Sequence, residues 1–218
     1  MKPTPPAIIC VGRNYAAHAA EMKGDLPDHP TIFMKNPAAL CGNGDAIVIP
    51  PICLEHGPQV DYEGELAVIL GADCRDVSRE TALDHVAAYA VANDVTARWW
   101  QKQGSGGQWI RGKSFDTFCP MSEPVEASAI RDPQQLTLCT TVNGECMQSG
   151  HTADMIFPVD VLISELSRGL TLLEGTVVLT GTPAGVGAAR TPPRFLQDGD
   201  VVEVDIQGVG RLSNSVKG

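Results

Sequence analysis

The feature that most constrains this fold is a series of short apolar runs, rich in β-branched residues, that are bounded by glycine or proline. The chain has 218 residues, including 22 Gly and 16 Pro. Six such runs have the length and composition of strands: residues 7–11, 47–49, 66–70, 136–142, 176–179 and 201–206. They do not alternate strictly with helical segments, which disfavours a doubly wound nucleotide-binding fold. The sequence therefore predicts one β-rich α+β domain over residues 1–218, with long loops.

Helix signals are few. The best covers residues 159–167 and rests on four apolar residues at helical spacing, Val159, Leu162, Ile163 and Leu166. Pro158 precedes this segment and Gly169 follows it, as start and stop signals do. A weaker pattern predicts a helix from about Ser78 through Val86, and a short helical turn is predicted over residues 15–22.

Composition disfavours several classes of partner. Lys and Arg number 16 against 26 Asp and Glu, a net charge of −10, and no basic run suggests nucleic-acid binding. No apolar run approaches the roughly 20 residues of a membrane helix, and the first ten residues lack the pattern of a secretion signal. The seven cysteines are scattered without a Cys-x-x-Cys pair, which favours reduced thiols. We therefore expect a soluble cytoplasmic protein.

The most informative stretch places three acids, Asp61, Glu63 and Glu65, directly before an apolar run. Because side chains alternate between the faces of a strand, all three would project from one face. Their repulsion is poorly screened at the edge of a core, so a positive group is expected between them. Gly64, on the opposite face, leaves room for a close approach of the chain.

A further acid, Asp94, ends the small apolar run at residues 87–93. With Glu63 and Glu65 it would form an all-oxygen site, which favours Mg²⁺, Mn²⁺ or Ca²⁺ over zinc. The alternative is that both glutamates lie on a solvated strand face and that Asp94 caps a turn. Spacing alone leaves both interpretations open.

Three other features are less informative. Two of them leave two interpretations open, and the third excludes one kind of site. His18 and Glu21 are three residues apart, so they would share a helical face as an acid/base pair or as a surface pair. Lys35 and Lys113 follow no spacing rule, and each could be a surface lysine. The glycine-rich segment 181–187 is interrupted by a proline and has no following Lys-Ser/Thr, so it is not a phosphate-binding P-loop.

Seven segments, taken together, resemble the fumarylacetoacetate hydrolase superfamily. The first is Gly-Arg-Asn-Tyr at residues 12–15 with His18 and Glu21 behind it, and the third is Asp-Tyr-Glu-Gly-Glu at residues 61–65. In full they are residues 12–22, 33–35, 61–68, 93–98, 112–116, 154–157 and 180–187. Each motif is weak alone, but their order along nearly the whole chain makes the set specific.

The resemblance implies a fold and a set of site residues. The fold is a mixed β-sheet roll of the fumarylacetoacetate hydrolase type with a few short helices, usually assembled as a homodimer. A divalent metal, with Mg²⁺ as the preferred ion, would be held by the carboxylates of Glu63, Glu65 and Asp94. His18 and Glu21 would be the acid/base pair on a mobile N-terminal lid at about residues 13–30. The other matching positions would act on or contact the substrate: Lys113, Arg98, Gln101, Thr182 and, with a weaker match, Lys35.

The resemblance also implies a reaction, the hydrolysis of a C–C bond in acylpyruvate-type 2,4-diketo acids such as fumarylpyruvate or acetylpyruvate. In this reaction Glu21 with His18 would deprotonate the attacking water, and pyruvate would leave as its enolate. The alternatives that keep the metal are a decarboxylase of a 2-oxo acid such as oxaloacetate, a keto–enol isomerase, and a hydratase or lyase. A non-catalytic protein that binds a metal or a small molecule is the alternative from another class. The Trp- and Gly-rich segment 99–109 departs from small acylpyruvases and is expected to shape the distal pocket.

Overall fold

The structure is a computed structural model that describes residues 4–22 and 24–218. The predicted domain includes residues 1–3 and the predicted lid includes residue 23, and these four lie outside the described residues. The described strands are β1 (Ile8–Gly12), β2 (Thr31–Lys35), β3 (Leu40–Gly42), β4 (Ile47–Val48), β5 (Val60–Asp61), β6 (Gly64–Leu70), β7 (Val86–Asn93), β8 (Thr96–Ala97), β9 (Cys119–Met121), β10 (Val125–Glu126), β11 (Thr137–Val142), β12 (Glu145–His151), β13 (Val177–Leu179), β14 (Val201–Ile206) and β15 (Gly210–Lys217).

The helices in the described ranges are short. The α-helices are α1 (Ala16–Glu21), α2 (Arg98–Lys102), α3 (Ile110–Lys113) and α4 (Val159–Ser167). Single 3₁₀ helices cover Pro37–Ala39, Pro51–Cys53, Arg79–His85, Ala127–Ala129, Thr152–Asp154 and Gly187–Ala189. No helix within this part of the chain is long and apolar enough to cross a lipid bilayer.

Two mixed sheets form the body of the protein. The larger has the strand order β2–β1–β13–β6–β7–β9–β3, with β10 also paired to β7, and the smaller has the order β12–β11–β14–β15–β4. Strands β1 and β13, β3 and β9, and β4 and β15 pair in parallel, while the other pairs are antiparallel. This sheet-rich architecture with few short helices confirms the predicted fold class.

The main core lies between the two sheets and is covered by α4. Leu66 and Val91 of the larger sheet share it with Leu138 and Val204 of the smaller sheet and with Leu162 of the helix. All five side chains are at most 2% exposed, and each such burial stabilises the fold by roughly 1.5–3 kcal/mol. The apolar periodicity of α4 therefore corresponds to the face that it buries.

Most of the predicted elements are present. Every one of the six predicted strands overlaps an observed strand, and the helix at residues 159–167 is confirmed as α4. The helix predicted from Ser78 through Val86 is wrong in type and in extent. Residues Arg79–His85 form a 3₁₀ helix, and Val86 begins β7. The reason is that β7 lies inside the larger sheet between β6 and β9, so all of its residues except Ala87 are buried and the strand lacks the alternation of a half-exposed one.

The pairing of β6 with β7 positions the acids. Gly64 lies opposite Asn93, and the backbone N–H of Asp94 donates to the carbonyl of Glu63 over 2.8 Å. Gly64 has no side chain because a Cβ there would lie 2.2 Å from the Thr140 hydroxyl oxygen of the other sheet. The close approach predicted at this glycine is therefore made by side chains of the smaller sheet.

Candidate active site

Three buried carboxylates converge where β6 begins and β7 ends. One oxygen from each of Glu63, Glu65 and Asp94 lies within 4.8 Å of the others. These residues are 5%, 2% and 0% exposed, so the solvated strand face considered above does not exist. Asp94 is not a turn cap either, because both of its carboxylate oxygens receive lysine ammonium groups.

Two buried lysines neutralise part of this negative charge. Lys113 Nζ, from α3, donates to Glu63 Oε2 over 2.8 Å, to Asp94 Oδ2 over 2.6 Å and to Thr96 Oγ1 over 2.8 Å. Lys35 Nζ, from the end of β2, donates to Asp94 Oδ1 over 2.5 Å. Both residues are 1% exposed, so the interpretation as surface lysines is wrong. Burial without partners would make each ammonium group very costly, which explains why each contacts a carboxylate.

Arg98 pairs with two further carboxylate oxygens, one from Asp61 and one from Glu63. Its Nη2 lies 2.7 Å from Asp61 Oδ2 and 2.8 Å from Glu63 Oε1, and its Nη1 donates to Gln101 Oε1 over 3.2 Å. Asp61, which is fully buried, also accepts the backbone N–H of Gly187 over 2.7 Å. Arg98 and Gln101 are thus held in position by the protein itself, and Asp61 orients the arginine.

The two glutamates differ in their electrostatics. Burial by itself would raise the pKa of Glu63, but the adjacent Lys113 and Arg98 outweigh it and hold that pKa well below its usual range. Burial, together with the charges of Asp94 and Glu63, raises the pKa of Glu65 well above its usual range. Within residues 4–22 and 24–218 no cation is paired with Glu65. A bound cation would therefore favour the ionised form of this carboxylate most strongly.

This donor set fits a hard divalent cation. Glu65 at the start of β6, Glu63 just before it and Asp94 just after β7 supply oxygen ligands, and their spacing allows one ion to contact all three. A divalent ion would also offset the repulsion that Glu65 feels from its neighbours. Glu63, Glu65 and Asp94 are the residues that would hold it.

His18 and Glu21 lie on α1 at the side of the same cavity. His18 Nδ1 is 2.8 Å from Glu21 Oε1, and the Glu21 carboxylate accepts the backbone N–H of Gly185 at 2.9 and 3.1 Å. An ionised carboxylate only accepts, so in a neutral His18 Nδ1 carries the proton and Nε2 carries the lone pair. His18 lines the cavity and Glu21 does not. The surface-pair interpretation is therefore wrong, because His18 is 6% exposed.

The glycine-rich segment 181–187 binds carboxylates of the protein itself. Backbone N–H groups of Gly181, Gly185 and Gly187 donate to Glu65, Glu21 and Asp61, respectively. Thr182 is also fixed, since its hydroxyl donates to the Gly64 carbonyl over 2.9 Å and accepts from Gln148 over 2.7 Å. The sequence excluded a P-loop here but gave no sign of this second use of the glycines.

These side chains surround a cavity of about 90 Å³. Eight of the ten predicted site residues line it: His18, Glu63, Glu65, Asp94, Arg98, Gln101, Lys113 and Thr182. The other two, Glu21 and Lys35, lie behind it and contact His18 and Asp94. Trp109 also lines the cavity, and it belongs to the segment 99–109 that is expected to shape the pocket. Sequence reasoning missed Arg13 as a lining residue, although Arg13 belongs to the first of the seven segments.

Comparison with known proteins gives a family for this site. Residues 7–217 match the model of the fumarylacetoacetate (FAA) hydrolase C-terminal family. The chain belongs to the fumarylacetoacetate hydrolase family. It is 46% identical over 212 residues to oxaloacetate tautomerase YisK of Bacillus subtilis, covering 96% of this chain and 69% of that protein.

Two further similarities extend this result. The mitochondrial oxaloacetate tautomerase FAHD2A of Homo sapiens is 42% identical over 213 residues, which cover 97% of this chain and 67% of that protein. The solved structure of a fumarylacetoacetate hydrolase from Exiguobacterium antarcticum superimposes with a TM-score of 0.87 at 46% identity, covering 99% of this chain and 76% of that one. The named activities of these family members include tautomerisation as well as hydrolysis.

Proposed function

We propose that this protein is a metal-dependent enzyme that interconverts the keto and enol forms of a small 2-oxo dicarboxylic acid of the oxaloacetate class. The observation that carries the proposal is that His18, with its Nδ1 held by Glu21, lines the same small cavity as the three carboxylates. The names of the relatives described above favour this keto–enol alternative over the acylpyruvate hydrolysis that the motifs first suggested.

Conversion of a keto form to its enol needs a group that takes a proton from carbon and delivers it to the keto oxygen. When bound, the divalent ion would polarise the keto oxygen as a Lewis acid. His18 Nε2 would accept a proton from the carbon beside the keto group and deliver it to the oxygen in the enol. Glu21 would stabilise the imidazolium that exists between these two transfers.

The arrangement of Glu21 is less suited to hydrolysis. Its carboxylate is engaged by His18 and by the Gly185 N–H, and it does not line the cavity. Activation of an attacking water would therefore also depend on His18. A cavity of about 90 Å³ is small beside the roughly 300–1,000 Å³ of pockets for drug-sized ligands, which favours a small acid as the substrate.

The charge of the site supports an anionic substrate. Four acids, Asp61, Glu63, Glu65 and Asp94, contact or adjoin three bases, Lys35, Arg98 and Lys113. A divalent cation would change this net charge of −1 to +1. Arg13 adds a further cation at the cavity wall, so a dianionic 2-oxo acid would be neutralised within the site. Lys113, Arg98, Gln101 and Thr182 are proposed to contact it, with Lys35 acting through Asp94.

We also propose that the protein is cytoplasmic and that it is a single catalytic domain with a lid. All seven cysteines are free, which supports a reducing, cytoplasmic environment. One of the relatives named above is bacterial and the other mitochondrial. Residues 13–30, with α1 and its His18, are proposed to act as the lid of a single catalytic domain.

The test follows the enol form and the products in one sample. Enol-oxaloacetate is mixed with Mg²⁺-loaded protein, loss of the enol absorbance is recorded, and pyruvate is measured with a coupled dehydrogenase. We expect faster enol loss without pyruvate, and no acceleration in the presence of EDTA. His18→Asn should lower the catalysed rate by roughly 100-fold or more, as for loss of a general base. His29→Asn, an exposed histidine of the same segment, is the matched control and should retain activity.

Pyruvate formed as fast as enol is lost would instead assign a decarboxylase. Pyruvate from acetylpyruvate, dependent on His18, would assign the hydrolase. A wild-type protein that binds no metal and leaves all of these acids unchanged would favour a binding protein.

A further inference from the structure

We propose that Cys139 and Cys146 form a peroxide-reactive thiol pair that closes into a reversible disulfide across the β11–β12 hairpin. The pair lies outside the candidate active site, and its chemistry is independent of the proposed function. Its sulfur atoms are 3.6 Å apart in the dithiol form. A disulfide requires about 2.05 Å, so side-chain rotation has to supply roughly 1.5 Å.

A β-bulge explains why two cysteines seven residues apart meet. Along the hairpin Cys139 is opposite Ser149 and Cys146 is opposite Thr141, and the register shifts between Thr140 and Thr141. On both strands the two cysteines belong to the outer face, where side chains are exposed or partly exposed, so their sulfurs meet diagonally.

The two thiols differ in a way that suggests an order of reaction. Cys146 is exposed, and Cys139 is partly buried. Burial, followed by the hydrogen bond with Cys146, raises the pKa of Cys139. Cys146 is therefore the thiol that peroxide reaches first, and Cys139 is the resolving thiol.

The chemistry is balanced with hydrogen peroxide as the oxidant. The Cys146 sulfur attacks one peroxide oxygen, the O–O bond breaks, and the products are a sulfenic acid and water. The Cys139 sulfur then attacks the sulfenic sulfur, the S–S bond forms, and a second water leaves. Two thiols are oxidised, one peroxide is reduced to two waters, and a dithiol reductant reverses the reaction.

The strand that carries Cys146, β12, also holds the glycine-rich segment 181–187 of the candidate active site. Gln148, two residues further along, accepts the Gly64 N–H and donates to the Thr182 hydroxyl and to the Pro183 carbonyl. The disulfide would therefore restrain the hairpin at the point where β12 holds segment 181–187.

The test is stoichiometric oxidation of the full chain with one equivalent of hydrogen peroxide, followed by alkylation and mass spectrometry. The wild type should lose two alkylatable thiols and about 2 Da of mass. Proteolysis after Glu145, which lies between the two cysteines, should leave two fragments joined until a dithiol is added. In Cys139→Ser, Cys146 should stop at the sulfenic acid and be captured by dimedone, whereas Cys146→Ser should lose no thiol at this dose.

Two results would overturn the proposal. One is a wild type in which both thiols remain alkylatable after oxidation. The other is a wild type in which dimedone labels Cys146 as strongly as it does in Cys139→Ser, because the sulfenic acid would then have no resolving thiol. The first readout uses only wild-type protein, so the proposal can be overturned without relying on how well a variant folds.

Discussion

Arg13 is the residue that the structure adds to the motif-based set. It is half-buried, lines the cavity, and its guanidinium carbon lies 5.8 Å from the centre of the Trp109 ring. Its φ of 57° is in the left-handed region, which non-glycine residues seldom adopt. Among residues 4–22 and 24–218, no carboxylate pairs with it. Its charge is therefore available to a substrate carboxylate.

The first prediction concerns substitution of this arginine. Arg13→Met should lower kcat/KM for a 2-oxo dicarboxylate by about 10- to 100-fold, because a charge-assisted hydrogen bond contributes roughly 1.5–3 kcal/mol. Tautomerisation of a 2-oxo monocarboxylate should change little. Lys102→Met is the matched control, since Lys102 also lines the cavity but is exposed. Equal losses on both classes of substrate would contradict a role for Arg13 in reading the second carboxylate.

A second prediction concerns how stability depends on pH through the ion pair between Arg194 and Asp200, which lies outside the cavity. Arg194 does not line the cavity. Instead, its two terminal nitrogens contact the two oxygens of Asp200 at 2.9 and 2.7 Å. Burial alone would raise the pKa of Asp200, but Arg194, the Gln197 N–H and Asn143 outweigh it, so the pKa is lowered.

A lowered folded-state pKa contributes stability that is present above the unfolded value, near pH 4, and is lost as pH falls through the folded value. Asp200→Asn should therefore destabilise the protein by about 1–2 kcal/mol at pH 7. The difference from wild type should shrink below about pH 4. Urea denaturation at pH 7 and pH 3 measures it, and a difference that is unchanged at pH 3 would show that the charge of Asp200 is not the cause.

At the scale of elements, the sequence predicts β6, α4 and the acidic triad because each depends on a local pattern. Glu65 lies at the start of a strand that runs into a core, Glu63 directly precedes that strand, and Leu162 and Leu166 recur at helical spacing. The other parts of the site depend on tertiary contacts. The partners of Lys35, Asp61 and segment 181–187 come from elements distant in sequence, and no local pattern encodes such contacts. The family resemblance supplied the lysines, but not what they touch.

The segment 181–187 provides an element-scale prediction through Gly185. This residue has a φ of 111°, and a Cβ would lie 2.1 Å from the carbonyl oxygen of Met147. Gly185→Ala should therefore move the loop, detach its N–H from Glu21, and destabilise the protein by roughly 2–4 kcal/mol through strain and overpacking. Activity should fall as well, because Glu21 would no longer hold His18 in place.

Gly199→Ala is the matched control. Its φ is 84°, but no atom lies within 4 Å of the position of its Cβ, so only the backbone strain is introduced. Thermal denaturation of both variants separates the two costs. Equal destabilisation by the two substitutions would mean that the contact with Met147 is unimportant.

At the scale of the whole molecule, β2 is an edge strand of the larger sheet and exposes Ile32 and Met34, which are 53% and 42% accessible. Exposed apolar side chains on an edge strand favour association with another chain. With the family resemblance, this supports a homodimer in which β2 contributes to the interface. The same strand ends at Lys35, so the interface and the site would share an element.

Gel filtration with light scattering should give twice the chain mass of 23.1 kDa. The double variant Ile32→Lys/Met34→Lys should give the single-chain mass, because paired charges on β2 would oppose its association. Leu170→Lys, an exposed apolar residue elsewhere, is the control and should stay dimeric. A wild-type monomer, or a double variant that remains dimeric, would contradict this assembly.

The proposed function depends on one divalent ion shared between the carboxylates and the substrate. The most direct measurement is isothermal titration of Mn²⁺ into metal-free protein, with and without oxalate, a planar mimic of a 2-oxo acid enolate. Wild type should bind one ion per chain, and oxalate should tighten that binding. Glu65→Gln should fold normally, since it removes a buried charge with no cation partner among the described residues, but should weaken Mn²⁺ binding by about 100-fold or more. Equal Mn²⁺ affinity in wild type and Glu65→Gln, or an affinity that oxalate leaves unchanged, would contradict the proposed metal-dependent chemistry at this site.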